Sequence, residues 1–227
     1  MLKKPIKFKL LTIFPEILDS YLNDSIIKRA QDKKIIKIEK YNLRDWTHDN
    51  HRTVDDAPYG GGAGMLMKIE PLYAALKDIK KKNRTAPQNR KIILLSASGK
   101  TWNQKLAWQY TKLNEIILVC GRYEGVDARI KKFIDAEISI GDYVLTGGEL
   151  PAMVMIDSIT RLLPGVLGNA DSIKEESHSE ENVLEYPQYT RPAVFEADNK
   201  KHRVPKILLA GNHAKIKAWR EKKQKIK

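Results

Sequence analysis

The sequence predicts an α/β fold: a mainly parallel sheet with flanking helices, followed by a small, mostly helical C-terminal domain. Three observations predict it. Strand-length apolar runs alternate with helix-length amphipathic stretches from Ile6 to Leu163. Several of those runs are apolar at nearly every position, as strands buried on both faces are. Residues 200 to 227 hold eleven Lys or Arg against one acid, Glu221, so the end of the chain differs in kind from the rest.

Ile6 to Ile13 reads as the first strand, and Pro15 opens a helix whose apolar side carries Ile17, Leu18, Tyr21 and Leu22. Ile35 to Tyr41 alternates as a second strand. Pro71 to Lys82 reads as a helix begun by proline, and Lys91 to Leu95 as a short apolar strand. Thr101 to Thr111 places Trp102, Leu106 and Tyr110 at i, i+4 and i+8 on one helical face. Glu115 to Cys120 is a strand of the buried type, Ala136 to Leu145 is strand-like as far as Gly141, and Leu150 to Leu163 is an apolar helix entered by Pro151. From Asn169 to Asn182 the chain is almost wholly polar, with too little apolar surface to offset the entropy of ordering it, and reads as a flexible linker. Beyond it Tyr186 to Val194 is punctuated by proline, Ile207 to Leu209 is apolar, Gly211 breaks, and Asn212 caps a basic helix carrying Trp219. The expected division is a first domain over 1–165, a linker over 166–185 and a basic domain over 186–227.

At 227 residues and 42 % hydrophobic content the chain can bury a core. No run approaches the roughly 20 apolar residues of a membrane span, and the N-terminus lacks the apolar stretch and cleavage site of a signal peptide. A cytoplasmic protein with no membrane partner is expected. The single cysteine, Cys120, sits in an apolar run and reads as a buried structural thiol. Of the formal charge of +13, residues 1 to 199 carry only +3. So dense a basic end is the footprint of phosphate binding, its plainer alternative being a solvated helix face.

Three motifs invite chemistry and fail on spacing. Gly99-Lys100-Thr101 ends like a phosphate-binding loop, but the glycine required five residues before Gly99 is Leu94. Gly60-Gly61-Gly62-Ala63-Gly64 resembles a dinucleotide fingerprint whose last position falls on Met65. His48 and His51 lie among Asp45, Asp49, Asp55 and Asp56, a polar loop in which hydrogen-bonding histidines are commoner than metal ligands, and no resident metal is expected. Two glycine-bearing segments remain after apolar strands: Cys120 to Asp127 (CGRYEGVD) and Ser139 to Pro151 (SIGDYVLTGGELP). Ligands bind at the carboxyl ends of strands in open α/β sheets, so the pair implies a pocket; either alone could be a tight turn.

These segments, with Phe14-Pro15-Glu16, Arg44 to Asp49, His51 to Asp56, Pro58 to Gly62 with Gly64-Met65, Pro164 to Gly168, Tyr186-Pro187 and Tyr189-Thr190-Arg191-Pro192, resemble the TrmD family of tRNA (guanine-N1)-methyltransferases over nearly the whole chain. The resemblance implies a SPOUT-type sheet tied in a trefoil knot, which hydrophobic periodicity does not reveal. It also implies a homodimer whose active sites lie at the subunit interface, and methyl transfer from S-adenosylmethionine to N1 of the guanosine immediately 3′ of the anticodon. Carried over by motif, the cofactor is expected against Leu94, Leu95 and Ser96; against Gly121, Glu124 and Gly125; and against Ile140, Gly141, Asp142, Tyr143, Val144 and Leu145 with Gly147, Gly148 and Pro151. Arg161 matches the family's functional arginine, placed to stabilise charge on O6, its alternative being a solvent-facing helix end.

The general base of the family is an aspartate in the linker; here the aligned residue is Glu176, with Glu175 and His178 as runners-up. Ala97 stands where Ser-Pro is common after the cofactor strand. The family usually continues further past Trp219-Arg220, so some tRNA contacts are expected to be lost or replaced by the terminal lysines. Arg191, Lys206, Lys215, Lys217 and Arg220 are the expected tRNA contacts, and magnesium is expected only as a weakly held ion arriving with substrate. Two other readings stay open: an inactive RNA-binding homologue, and a knotted methyltransferase acting at another RNA position.

Overall fold

The computed structural model describes residues 4–81, 85–169, 176–178 and 183–226. The chain forms two compact units, Met1–Gly168 and Asn169–Lys227.

The first unit runs β1 (Ile6–Thr12), a 3-10 turn over Pro15–Leu18 continued by α1 (Asp19–Leu22), α2 (Ser25–Asp32), β2 (Ile36–Asn42), the two-residue pair β3 (Asp55–Asp56) and β4 (Leu66–Met67), and α3 (Ile69–Lys81). It continues with β5 (Arg90–Thr101), α4 (Gln104–Tyr110), β6 (Glu115–Cys120), a 3-10 turn over Ala128–Phe133, β7 (Ala136–Ser139) and α5 (Glu149–Thr160). The main sheet has the order β2-β1-β6-β5-β7 with every neighbouring pair parallel. Because side chains alternate along a strand, each central strand serves two cores. Phe8, Leu10, Ile116, Leu118 and Cys120 face a cluster completed by α1, α2 and α5. Leu11, Ile117 and Val119 face a second cluster with Leu72, Ala75, Leu76 and Ile79 of α3 and with Ile130. This is the helix-covered parallel sheet that the apolar runs imply. Cys120 is wholly buried, and burial pushes its thiol well above the usual value.

One charge interrupts this apolar order. Lys9, in β1, is 0 % exposed; its Nζ donates to the Ile79 carbonyl at 3.2 Å and lies 3.4 Å from the equally buried Glu115. Burial lowers the Lys9 pKa despite that partner, the expected result when desolvation of an ammonium exceeds its Coulomb gain.

The elements differ from expectation where sequence period is weak. α2 has only eight residues and escaped notice; Asp24 begins it, its carboxylate accepting the Ser25 N–H at 2.6 Å. α3 starts two residues before Pro71, which is tolerated in a first turn. α4 starts at Gln104, so Trp102 does not lie on it; the indole instead packs edge-on against Tyr110 at 5.2 Å and donates to Ser158 Oγ at 2.9 Å. β5 runs six residues past Leu95 and meets β7 twice, Ile138 pairing first with Leu95 and again with Lys100.

In the second unit β8 (Val183–Leu184) pairs antiparallel with β11 (Lys225–Ile226), and β9 (Val194–Ala197) with β10 (Lys200–Arg203). α6 (Lys206–Leu209) and α7 (His213–Lys223) complete it. The unit is therefore not mostly helical. Strands of two to four largely exposed residues carry no alternation by which sequence could announce them. Asn212 does cap α7, its side chain accepting the Lys215 N–H at 3.1 Å. No helix among the described residues is long and apolar enough to cross a membrane.

Candidate active site

Three chain segments, the bend within β5 and the stretches that leave the carboxyl ends of β6 and β7, converge on one cavity of about 500 Å³, a size suited to a small-molecule cofactor. Its floor is the ends of strands: Leu94 and Leu95 are nearly fully buried and reach it, so much of what they offer a ligand is backbone. Its other walls are 121–126 and 137–148, with Pro151 from the first turn of α5. Of the cofactor residues expected from sequence, all but Asp142 line this cavity. Asp142 is exposed and stands outside the lining, since in a turn that doubles back at Gly141 neighbouring side chains point apart. The lining also includes Ala97, Ser98, Arg122, Tyr123, Lys131, Glu137 and Thr146, which sequence did not assign to the cofactor.

The glycines are there for close approach. A Cβ at Gly148 would lie 2.7 Å from the Cys120 Cα and 3.0 Å from the Gly121 N, so the start of α5 can touch the end of β6 only without a side chain. Gly99, rejected as part of a phosphate loop, has the same use: its Cβ would lie 2.5 Å from the backbone of Glu137 and Ile138, where β5 returns to β7.

A buried polar cluster ties these walls together. Glu149, 1 % exposed, accepts the Thr12 hydroxyl at 2.5 Å, joining α5 to the end of β1. Arg122 Nε lies 3.0 Å from the other Glu149 oxygen, an ion-pair contact at an angle unlike that of a hydrogen bond. Arg122 also donates to the Thr146 carbonyl at 3.2 Å and sits 4.9 Å over the Phe14 ring. One guanidinium thus fixes the 121–126 wall, the 137–148 wall and the Phe14-Pro15-Glu16 corner. Its only sequence signal was its place between Gly121 and Tyr123.

The Gly60–Met67 stretch is fastened alongside. The Glu124 N–H donates to the Met65 carbonyl at 3.0 Å, Met67 N–H to Gly125 at 3.0 Å, and a Cβ on Gly64 would collide with the Glu124 side chain. Tyr123 has its hydroxyl pushed above the usual value by burial and by Asp55 beside it. Two carboxylates of the loop weighed as a metal site are engaged by its other side chains: Asp49 accepts the Thr53 hydroxyl at 2.7 Å and its N–H at 3.1 Å, and Asp45 pairs with Arg52. Among the described residues no three acidic, His or Cys groups converge as a metal cage.

Arg161 is the half-buried C-cap of α5, its N–H donating to Asp157 at 3.0 Å, where the helix dipole favours a cation. In the second unit Glu176 is half-buried; beside it Ser177 Oγ accepts the Glu185 N–H at 2.9 Å and the His178 N–H donates to Val183 at 2.7 Å. These bonds hold Glu176–His178 against β8. Glu175 lies outside the described residues. Arg191, Lys206, Lys215, Lys217 and Arg220 are all exposed. At 3.6 residues per turn Lys215 and Lys217 point about 200° apart on α7, whereas Lys217 and Arg220 share a face. The Arg220 guanidinium lies 4.8 Å over the Tyr186 ring.

A family model described as tRNA (Guanine-1)-methyltransferase TrmD matches residues 6–227. A relative from Dictyoglomus turgidum named tRNA (guanine-N(1)-)-methyltransferase is 54 % identical over 217 residues, covering 96 % of this chain and 84 % of its own length. Relatives of the same name from Citrifermentans bemidjiense and Staphylococcus carnosus are each 49 % identical, covering 96 % and 98 % of this chain and 85 % and 87 % of their own lengths.

Proposed function

The chain belongs to the TrmD family of tRNA (guanine-1)-methyltransferases, and from that premise we propose how its residues divide the transfer of a methyl group from S-adenosylmethionine to N1 of guanosine 37, immediately 3′ of the tRNA anticodon. The observation that carries the reading is the convergence of two glycine-bearing segments and the β5 bend on one cavity. Its walls combine apolar Leu94, Leu95, Ile138, Val144 and Pro151 with free-edged backbone, which suits an adenosine and a short polar chain. A trefoil knot at these strand ends is part of the same reading.

Bound there, S-adenosylmethionine supplies a methyl on a sulfonium, and the C–S bonding pair departs with sulfur as the N1–C bond forms. The protein has three tasks. The cavity walls, held by Arg122 and Glu149, align the donor. Glu176 accepts the N1 proton, leaving the N1 lone pair to attack. Arg161 donates charge-assisted hydrogen bonds to O6 as negative charge grows there. Among the described residues no three acidic, His or Cys groups converge as a magnesium cage.

The length of α5 supports a homodimer with shared active sites. Pro151 lines the cavity near its first turn while Arg161 caps its far end, and the ten residues from 151 to 161 separate them by about 15 Å. One face of α5 leaves Leu150 and Val154 exposed, beside exposed Ile17 and Tyr21. The Tyr21 hydroxyl donates to Asp157 on that face, which pushes its pKa up to about 12. A helix apolar on both sides calls for a second covering partner. A second copy with its α5 antiparallel brings its Arg161 to this cavity. The basic second unit over 186–227, joined through 166–185 to the catalytic domain over 1–165, holds the anticodon arm through its lysines and arginines. Such an enzyme works in the cytoplasm, where tRNA is found.

The test is transfer of labelled methyl from S-adenosylmethionine to unmodified tRNA transcripts carrying guanosine or adenosine immediately 3′ of the anticodon. Label on the guanosine transcript alone is expected. No label on either, with tRNA still bound, overturns the reading in favour of an inactive RNA-binding homologue; label at another nucleotide favours a methyltransferase of different target.

A further inference from the structure

Between Leu95 and Lys100 the β5 chain leaves its ladder with β7 and lines the cavity through Ser96, Ala97 and Ser98 before rejoining at the same partner, Ile138. Ala97 occupies the position where a proline would stiffen this bend, so some other restraint must hold it. The side chains supply one. Ser98 Oγ donates to Glu137 Oε1 at 2.8 Å, and Lys131 Nζ lies 2.8 Å from Glu137 Oε2. Ser96 and Ser98 hydroxyls are 3.0 Å apart, and the Ser98 N–H donates to Ser96 Oγ at 3.3 Å. Each carboxylate oxygen of Glu137 therefore holds a different wall: the β5 bend on one side, the 128–133 turn on the other.

We propose that Glu137 is a positioning residue for the methyl donor, its carboxylate clipping the Ser96–Ser98 bend to Lys131 and so pre-shaping one wall of the cavity. The proposal rests on the reading of this cavity as the S-adenosylmethionine site. The clip joins loops that lie outside the buried core, since Ser98 is exposed and the Lys131 side chain is 53 % exposed. Its loss therefore leaves the sheet intact and releases the bend. The ligand must then order the bend on binding, and that cost appears in affinity. The chemical step, which occurs once the donor is seated, is untouched. The direction of the Glu137 pKa agrees with a charged clip: burial works to raise it, and Lys131, Ser98 and Ser96 together outweigh burial and hold it below the usual glutamate value.

The full-length enzyme, Glu137→Gln, Ser98→Ala and the double variant are compared for equilibrium binding of S-adenosylmethionine, for kcat at saturating donor and for melting temperature without ligand. Each single variant is expected to weaken binding by about tenfold, the effect of losing one charge-assisted hydrogen bond. Turnover at saturating donor should stay within about twofold and the unliganded melting temperature should not move. The double variant should bind no more weakly than either single one, because both remove the same clip. Unchanged affinity overturns the proposal. So do additive losses, which would mean two separate ligand contacts, and a fall in kcat or in melting temperature that parallels the affinity loss. Failure of the wild-type enzyme itself to bind S-adenosylmethionine would overturn the reading of the cavity, a result distinct from variants that bind as well as wild type.

Discussion

In the unit Met1–Gly168, alternate residues of β1 and β6 vanish from solvent on both faces of the sheet, whereas among the described residues of Asn169–Lys227 none is buried. The first unit has enough apolar sequence to specify itself. The second sets Tyr189 beside Trp219 and Tyr186 under Arg220, in a stretch rich in lysine and arginine. A surface of that kind gains most from a polyanion. The difference teaches that the sequence of the first unit encodes a shape, and that of the second encodes chiefly an affinity.

Among first-unit variants the largest expected effect breaks the comparison at Arg161, whose proposed place is the cavity of a second copy. Arg161→Ala should lower single-turnover methyl transfer by roughly 10²–10³-fold, with donor affinity unchanged. Next comes the buried ion pair at the centre of the sheet. Lys9→Met leaves Glu115 charged and buried, and should destabilise the protein by about 3 kcal/mol in urea unfolding. Replacing both, as Lys9→Met with Glu115→Leu, should restore most of that stability, since two apolar groups need no compensation. A one-atom intrusion at Gly148→Ala should cost about 1–3 kcal/mol of donor binding by titration, because its Cβ must push the end of β6 aside. The smallest effect sharpens the other half of the comparison. Lys217→Ala, in the second unit, should leave melting unchanged while reducing the salt dependence of tRNA binding by about one unit of slope.

Legibility in the sequence follows the same division. β6 could be read to the residue because six consecutive positions are buried, and the cavity walls because glycines follow apolar runs. α2 is amphipathic but only eight residues long, too short a window for its period to stand out. The β5 bend is polar and reads as loop, so its return to β7 was hidden, and with it the use of Gly99. The contact between Thr12 and Glu149 spans 137 residues, and no local pattern foretells such a pair. Lys131 and Glu137 were invisible for a similar reason: their meeting depends on the turn and strand between them. In the second unit the charge was plain, but which lysines share a face became visible only once α7 had its phase.

The claim on which the account turns is that the first unit holds the donor while Glu176, in the second, removes the proton. Glu176→Gln tests it directly through three readings on one protein: equilibrium binding of S-adenosylmethionine, equilibrium binding of tRNA, and single-turnover methyl transfer. The account predicts both affinities close to wild type with transfer slowed by roughly 10²–10⁴-fold, the usual worth of a general base. Transfer at the wild-type rate would contradict it.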